Sequence, residues 1–334
     1  MDSSLAYRRY SLPFTVPLHT ARGLWSAREG IHVRILRPDG SAGYGEAAPI
    51  PGFGSESVDA GEAFCLSLGG RADPGLPSRV PADLPALRHA LSCAMEVDCD
   101  PPRHASLAVA ALLPAGRAAL REGPARAEAG FRVFKWKVGA GDPADEMGIL
   151  DDLIGALPSG SRLRLDANGG WNLRTAERWL GHAEGRPVEF VEQPIAPDSR
   201  RATDDLMGLA ADHPVPIALD ESVAGDADAL RWLEAGWTGY FVVKAALLGD
   251  VRATLARLAG AGARVVFSSA LETGIGARSA LRAAFAWPGA QTAIGFGVWP
   301  LFRDGRFDGP AAAPFIRVED VERLDPLAIW NATN

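Results

Sequence analysis

The feature of this sequence that most constrains its fold is a regular alternation of short apolar segments with helix-length amphipathic segments, beginning near residue 104. Short apolar segments predict buried strands, and strands that alternate with helices indicate a parallel sheet. Eight strands within about 190 residues predict closure into a TIM-like (β/α)7β barrel of the α/β class. The predicted strands span residues 106–113, 132–138, 162–166, 188–192, 217–220, 239–244, 264–268 and 291–294. The predicted helices span about 116–129, 143–156, 173–184, 199–212, 226–236, 249–261 and 273–287.

A doubly wound open sheet is the alternative fold. Such a sheet usually has a glycine-rich phosphate-binding loop directly after its first strand. Here the predicted first strand runs into Leu112, Leu113, Pro114, Ala115 and Gly116, which do not form a dinucleotide-binding fingerprint. The sequence therefore favours the barrel.

The first hundred or so residues lack this alternation and predict an α+β capping domain over 1–103. Strands are expected near 30–36 and 43–46, helices near 56–69 and 81–97, and a linker at 98–102. The strand at 30–36 is expected to be half-buried, because polar and apolar residues alternate along it. The barrel is assigned to 104–300. The alternation ends near residue 300, so residues 301–334 are expected to return to the capping domain and complete it.

Charge and cysteine content exclude several functional classes. The formal net charge is -7 without a basic tract, which argues against a nucleic-acid partner. Cys65, Cys93 and Cys99 lack zinc-like spacing and indicate a reducing compartment. Neither a leader pattern nor an apolar run of about 18 residues is present, so we predict a cytoplasmic enzyme without a membrane span. The oligomeric state is left open.

Three acidic residues, Asp166, Glu192 and Asp220, close three successive predicted strands. The carboxyl ends of barrel strands converge on one active site, where three carboxylates repel one another unless a cation neutralises them. Oxygen ligands without histidine or cysteine select Mg²⁺ or a similar hard ion. Taken singly, each residue also suits a cap of the following helix. The three together, flanked by lysines, favour a metal site.

Lys135 and Lys137 lie in the apolar run 131–139. Residues two apart on a strand point to the same side, so both ammonium groups face one direction. A lysine that is crowded by a second cation and a metal loses its proton more readily and can act as a base. An edge strand with two solvated lysines is the alternative interpretation.

Two further cations accompany these strands. Lys244 ends the sixth predicted strand, across the barrel from Lys137, and its buried-looking run favours a functional role over an exposed strand end. Arg164 precedes Asp166 by two residues and therefore shares its strand face. It is predicted to orient Asp166, to contact substrate or to form an ion pair, and these three roles stay open.

The arrangement of these residues resembles the muconate-lactonising subgroup of the enolase superfamily: a Lys-x-Lys on the second strand, acids on the third to fifth, and a lysine on the sixth. The similarity covers nearly the whole chain. Within the subgroup the chain most resembles the o-succinylbenzoate synthase family of menaquinone or phylloquinone synthesis. The segments that carry this closer similarity are residues 45–54 in the capping domain, 166–168 (Asp-Ala-Asn) and 268–273 (Ser-Ser-Ala-Leu-Glu-Thr).

The resemblance implies a reaction and a small-molecule carboxylate substrate. Members dehydrate 2-succinyl-6-hydroxy-2,4-cyclohexadiene-1-carboxylate to 2-succinylbenzoate, a syn elimination through an enediolate that Mg²⁺ stabilises, with Mn²⁺ as a second candidate metal. Asp166, Glu192 and Asp220 would be the metal ligands.

The same resemblance assigns roles to the other residues. Lys137 would be the general base and then the acid that assists loss of hydroxide, Lys135 would bind the carboxylate, and Lys244 would lie over the opposite face of the ring. Loops near 19–22 and 51–56 would close over the substrate. The candidates for substrate binding are Arg164, Asn168, Ser268 and Gly295.

Two other functions compete with dehydration. An N-acylamino acid racemase or related epimerase also needs two opposed lysines. Dipeptide epimerases of the superfamily usually carry Asp-x-Asp after the last strand, where this chain has Gly295, Phe296 and Gly297. A barrel that binds without catalysing should have lost a ligand or a lysine, and this chain retains all of them.

Overall fold

The first sheet of this computed structural model, which describes residues 3–20, 23–96 and 100–333, consists of four antiparallel strands. The strands, in the spatial order β3-β2-β1-β4, are β1 (Ser3–Thr20), β2 (Gly23–Leu36), β3 (Ala42–Ala47) and β4 (Arg71–Ala72). The predicted strands at 30–36 and 43–46 are confirmed as parts of β2 and β3. β1 was not predicted, because Pro13 and Pro17 interrupt a pattern that otherwise suits a strand. Two residues of the predicted linker, 98 and 99, lie outside the described residues.

Three helices accompany this sheet: α1 (Val58–Ser67), α2 (Leu76–Arg79) and α3 (Pro85–Met95). Ile31, Val33 and Ile35 of β2 share one buried cluster with apolar residues of α3. A Cβ atom on Gly43 or Gly45 would lie 1.9 Å from a carbonyl oxygen of α3, so both positions need glycine for the helix to approach β3 this closely. The two longer helices were predicted, whereas the single turn of α2 was not.

The predicted first barrel strand, residues 106–113, is divided in the structure. Its first part, β5 (Ser106–Ala108), pairs antiparallel with residues 315–317, which the sequence pattern did not predict to lie there. Its second part, β6 (Ala111–Leu113), forms one edge of a seven-stranded sheet in which every pairing is parallel. The other strands are β7 (Val133–Lys137), β8 (Arg162–Asp166), β9 (Val188–Glu192), β10 (Ile217–Leu219), β11 (Tyr240–Val243) and β12 (Arg264–Phe267).

The seven strands follow one another in space in their order along the chain, from β6 to β12. A doubly wound sheet reverses its strand order at a switch point, and this sheet has no reversal. The α/β fold is therefore TIM-like. Each strand is followed by a helix: α4 (Ala119–Glu128), α5 (Pro143–Ala156), α6 (Leu173–Ala183), α7 (Ala202–Asp212), α8 (Asp226–Glu234), α9 (Val251–Gly260) and α10 (Gly274–Ala286).

The predicted eighth strand, residues 291–294, does not form a regular strand. Parallel bridges instead join Ile294 to Val109 and Gly295 to Ser268, so the segment contacts both edges of the sheet. The backbone amide of Ala110 donates to the Ile294 carbonyl at 3.0 Å, and that of Gly295 donates to Phe267 at 2.7 Å. Only one residue of the segment pairs with each edge of the sheet, which is too few for a continuous ladder of hydrogen bonds. The predicted strand is therefore present as isolated bridges.

The end of the C-terminal segment contacts the second face of the first sheet. It comprises β13 (Phe315–Arg317), α11 (Val318–Glu322) and α12 (Pro326–Ala332). The guanidinium groups of Arg8 and Arg34 lie 4.7 and 4.9 Å from the Trp330 ring centroid, within range of cation–π attraction. His32 is consequently buried, so the prediction of a half-buried strand at 30–36 was wrong for this residue. Among helices in the described residues, none combines the length and apolar composition needed to cross a membrane.

A buried polar cluster, here called the Glu46 network, joins the first sheet to the start of α10. The Glu46 carboxylate accepts hydrogen bonds from the Tyr10 hydroxyl at 2.5 Å, the Thr273 amide at 2.9 Å and the Gly276 amide at 2.9 Å. A carboxylate at a helix N-terminus satisfies amides that have no partner within the helix. His32 bridges the hydroxyls of Thr273 and Thr333, so the network also includes the C-terminal segment.

Burial lowers the pKa of both His32 and His89 to about 4. An unfolded histidine titrates near 6.5, so between pH 6.5 and about 4 the unfolded chain binds protons that the folded chain does not. Each histidine thus destabilises the fold as the pH falls. We expect His89→Leu to reduce the loss of unfolding free energy between pH 7.5 and 5.5 by roughly 1 kcal/mol relative to wild type, measured by urea unfolding. Equal pH dependence of the two proteins would contradict this assignment.

Candidate active site

The strand order brings the predicted acids and lysines to one end of the parallel sheet. Asp166 and Glu192 are the last residues of β8 and β9, and Asp220 and Lys244 directly follow β10 and β11. All four are buried. Adjacent strands carry them, so the predicted convergence at the carboxyl ends is observed, as in a barrel active site.

Lys135 on β7 contacts two of the three carboxylates. Its Nζ atom lies 2.6 Å from Glu192 Oε1 and 3.0 Å from Asp166 Oδ2. Burial alone would lower the pKa of Lys135, but the charges of Asp166, Glu192 and Asp220 outweigh burial and raise that pKa well above its usual range. Lys135 therefore remains a cation and can attract an anionic substrate group.

Lys244 follows β11, four strands from Lys135 on β7, at the same end of the parallel sheet. Its ammonium group contacts Asp220 and lies 4.3 Å from the ring centroid of Phe53. Phe53 belongs to the predicted cap loop 51–56, which therefore reaches the site. For the other predicted cap loop, 19–22, residues 21 and 22 lie outside the described residues.

Lys137 occupies the last position of β7, directly opposite Asp166 in the register with β8. It is half-buried and faces the same side of the strand as Lys135. The loop that follows is held by Glu146 of α5, whose carboxylate accepts from the amides of Gly139 at 2.8 Å, Ala140 at 3.2 Å and Gly141 at 3.1 Å. Three such bonds fix the backbone immediately after the lysine.

Backbone strain is concentrated at the same end of the sheet. Within the described residues, three non-glycine residues have left-handed φ: Asn168 at 45°, Gln193 at 38° and Leu271 at 61°. Asn168 and Gln193 follow β8 and β9 by one or two residues, and Leu271 lies in the loop between β12 and α10. A non-glycine residue keeps a left-handed φ only where the surrounding structure holds its backbone in place. Such residues cluster at functional sites.

Glu221 and Gln193 were not predicted as site residues. Glu221 Oε1 accepts from Asn168 Nδ2 at 3.1 Å, whereas Glu221 Oε2 is buried without a hydrogen-bond partner. Burial, and then the charge of Asp220, raise the pKa of Glu221 to about 7. Gln193 Oε1 accepts from the amides of Asp220 and Ser222, which fixes the backbone that carries Asp220. A polar residue directly after a strand-end carboxylate was the available signal in both cases.

The four predicted substrate-binding residues have different surroundings. Arg164 donates to Glu189 at 2.7 Å and to the Ala293 carbonyl at 2.7 Å, so the ion pair considered from the sequence is present; its contact with substrate stays a prediction. Asn168 lies beside Asp166, to which its amide donates at 3.1 Å. Ser268 and Gly295 are neighbours, because a Cβ atom on Gly295 would lie 2.8 Å from Ser268 Oγ.

The donor set fits a hard divalent cation. Within the described parts of the chain, no three histidine, cysteine, aspartate or glutamate side chains surround a common point as they stand, and Lys135 Nζ lies between two of the carboxylates. Burial, and then the charge of Asp166, raise the pKa of Glu192 well above its usual range although Lys135 opposes this. Unpaired buried oxygens of Asn168 and Glu221 are nearby acceptors.

Comparison with known proteins agrees with this geometry. A family model described as enolase C-terminal domain-like matches residues 118–318. An o-succinylbenzoate synthase of Thermosynechococcus vestitus is 42% identical over 299 residues, covering 87% of this chain and 91% of the relative. The crystal structure of o-succinylbenzoate synthase from Thermosynechococcus elongatus, with Mg in its active site, aligns with a TM-score of 0.82 at 37% identity, covering 98% of this chain and 99% of the other. A hydrophobic dipeptide epimerase of Roseobacter litoralis is 30% identical over 250 residues, covering 66% of this chain and 70% of the relative.

The fold and the site thus define a member of the enolase superfamily. Within that superfamily the chain belongs to the o-succinylbenzoate synthase family, whose members are hydro-lyases.

Proposed function

We propose that this chain dehydrates 2-succinyl-6-hydroxy-2,4-cyclohexadiene-1-carboxylate to 2-succinylbenzoate. The observation that carries the proposal is the 42% identity to an o-succinylbenzoate synthase over 87% of this chain. The contacts of Lys135 with Glu192 and Asp166, and of Lys244 with Asp220, supply the cations and acids that the reaction needs. Assay of the purified chain with this substrate, followed by absorbance of the aromatic product, tests it directly.

We propose the following roles for the chain's own residues. Lys135 holds the substrate carboxylate, since it stays protonated among three acids. Lys137 removes the proton on the ring carbon that bears this carboxylate. The same lysine, now protonated, delivers that proton to the departing hydroxyl on the same face, so that water leaves and the ring becomes aromatic. Lys244 provides a cation over the opposite face.

We propose that Asp166, Glu192 and Asp220 hold Mg²⁺, with Mn²⁺ as a substitute, after Lys135 and Lys244 release them. The chemistry that the ion supplies when bound is neutralisation of the charge that develops on the substrate carboxylate. The o-succinylbenzoate synthase of Thermosynechococcus elongatus, whose crystal structure has Mg in the active site, supports this choice.

Removal of divalent metal is expected to abolish turnover. Because the proposed ligands are all carboxylate oxygens, added Mg²⁺ or Mn²⁺ should restore the rate, whereas Zn²⁺ should restore it poorly. The measurement is the dehydration rate after exhaustive dialysis against EDTA and after metal addition. Full activity of the chelated enzyme would remove the metal from the mechanism.

We propose that the parallel sheet is a (β/α)7β barrel closed by residues 291–295, and that the chain divides into a capping domain (1–103), the barrel (104–300) and a C-terminal return (301–334). The bridges from Ile294 and Gly295 to both sheet edges support the closure. The contacts of Trp330 with Arg8 and Arg34 support the return. A cytoplasmic location stays a prediction.

Racemisation of N-acylamino acids is the second candidate. Lys244 follows β11, four strands from β7, which carries Lys137, and two opposed lysines would suit removal of a proton from one face and its return to the other. Lys244→Arg separates the two functions. Dehydration needs only the charge of this residue, so the variant should keep measurable turnover, whereas racemisation needs a proton from it that arginine does not exchange at neutral pH.

The assay for this variant is deuterium incorporation from heavy water into each enantiomer of an N-acylamino acid, run beside dehydration. Wild-type enzyme that racemises rapidly and leaves the cyclohexadiene untouched would exchange the ranking of the two candidates.

A further inference from the structure

Leu112 on β6 is an exposed leucine in an unusual place. Its fractional exposure is 41%, whereas the neighbouring residues Ala111 and Leu113 are 2% and 5% exposed. Large exposed apolar side chains in the described residues number eight, and Leu112 alone among them lies on a strand of the seven-stranded sheet. The exposure of Leu112 therefore does not follow from a position on an outer helix or on the first sheet, where exposed side chains are common.

The sheet register shows which way Leu112 points. Leu112 pairs with Lys135, and registered neighbours on parallel strands share one face. Lys135 faces the inside of the barrel, because its ammonium group contacts Glu192 and Asp166. Leu112 therefore also faces the inside.

Other apolar positions on the inward face of the sheet are closed to solvent. Phe190, Ala218, Val242 and Val266, which share the inward face with the site residues, form one cluster and are all buried. Leu112 differs from these positions, because it faces the inside of the sheet and is nevertheless reached by solvent. Its side chain is apolar and lies on the strand next to that of Lys135, and neighbouring strands are only about 4.8 Å apart.

We propose that Leu112 forms the apolar wall against which the carbon skeleton of the substrate packs, and that it favours carboxylates with a hydrocarbon ring over those with a charged side chain. The inference rests on the proposed function, because it requires Lys135 to hold the substrate carboxylate. A ring attached to a carboxylate at Lys135 lies within van der Waals reach of the adjacent strand. Burial of the leucine methyl groups against that ring stabilises the complex.

The test compares Leu112→Ala, Leu112→Asn and Leu112→Met with the matched control Leu173→Ala, which removes the same atoms from a leucine on α6 that is 40% exposed. We expect Leu112→Ala to raise KM for the cyclohexadiene and Kd for 2-succinylbenzoate about tenfold, and Leu112→Asn more, while kcat changes less than about threefold. Leu112→Met should stay near wild type because it conserves apolar volume. Leu173→Ala should change neither constant, and all variants should retain the wild-type thermal midpoint.

Constants for Leu112→Ala and Leu112→Asn within twofold of wild type would overturn the wall assignment while the proposed function stands. Wild-type enzyme that is inactive on the cyclohexadiene but racemises N-acylamino acids would overturn the proposed function alone. In that case Leu112→Asn should lower the preference for an N-succinyl amino acid with a phenyl side chain over one with an arginine side chain about tenfold. An unchanged preference would refute the role of Leu112.

Discussion

Replacement of Lys137 by alanine is expected to lower kcat for dehydration by at least ~10²–10⁴-fold, the usual contribution of one positioned acid–base group. The loss should approach the upper end, because the same ammonium group serves both proton transfers in the proposed mechanism. Lys137 is half-buried at the end of β7, and the backbone around it is held independently of its side chain by the amide bonds to Glu146. The fold should therefore survive. Steady-state kinetics and circular dichroism of the variant measure the two effects separately.

Lys137→Arg provides the matched control for charge, since it keeps a cation at the position, but arginine is not deprotonated at neutral pH and so does not act as a base. It should be nearly as inactive as the alanine variant. A folded Lys137→Ala enzyme with close to wild-type turnover would show that another group is the base.

Replacement of Glu46 by alanine is expected to lower the free energy of unfolding by about 3–5 kcal/mol. The substitution leaves the Tyr10 hydroxyl and the amides of Thr273 and Gly276 buried without their acceptor. It also removes the carboxylate that stabilises the N-terminus of α10. Urea unfolding of wild type and variant at pH 7.5 measures the difference.

Glu29→Ala is the control, because Glu29 is an exposed acid on β2 whose ion pair with Arg9 spans 3.8 Å. A surface substitution of this kind usually changes stability by less than about 0.5 kcal/mol. If Glu46→Ala destabilised no more than Glu29→Ala, the Glu46 network would have no role in holding the first sheet to α10.

Local pattern was sufficient to predict the carboxyl ends of the strands. Asp166, Glu192 and Lys244 each close a short apolar run, and such runs end where the backbone leaves the sheet. In a parallel sheet the carboxyl ends of all strands lie at the same edge, independently of the contacts made elsewhere in the chain. The convergence of the acids and lysines could therefore be predicted without knowledge of any long-range contact.

Features that depend on distant residues could not be predicted in this way. His32 is buried against Thr333, which lies 301 residues later in the chain. The alternation of polar and apolar residues along β2 contains no information about so distant a partner. Arg164 was ambiguous because its ion pair with Glu189 forms across two strands. Glu221 was missed because strict alternation would turn it away from Asp220, yet β10 ends at Leu219 and the alternation ends with it.

The hydrogen bond between His32 and Thr333 has a consequence for the order in which the protein acquires its structure. Chains are synthesised from the N-terminus, and domains usually fold as they emerge. The first sheet is complete within the first 72 residues, whereas Trp330, which contacts its second face, follows all strands of the parallel sheet along the chain. A nascent chain must therefore carry an exposed, partly polar sheet face until the seven parallel strands and α12 have been synthesised. Deletion of α12 is therefore expected to expose this sheet face again in the folded protein.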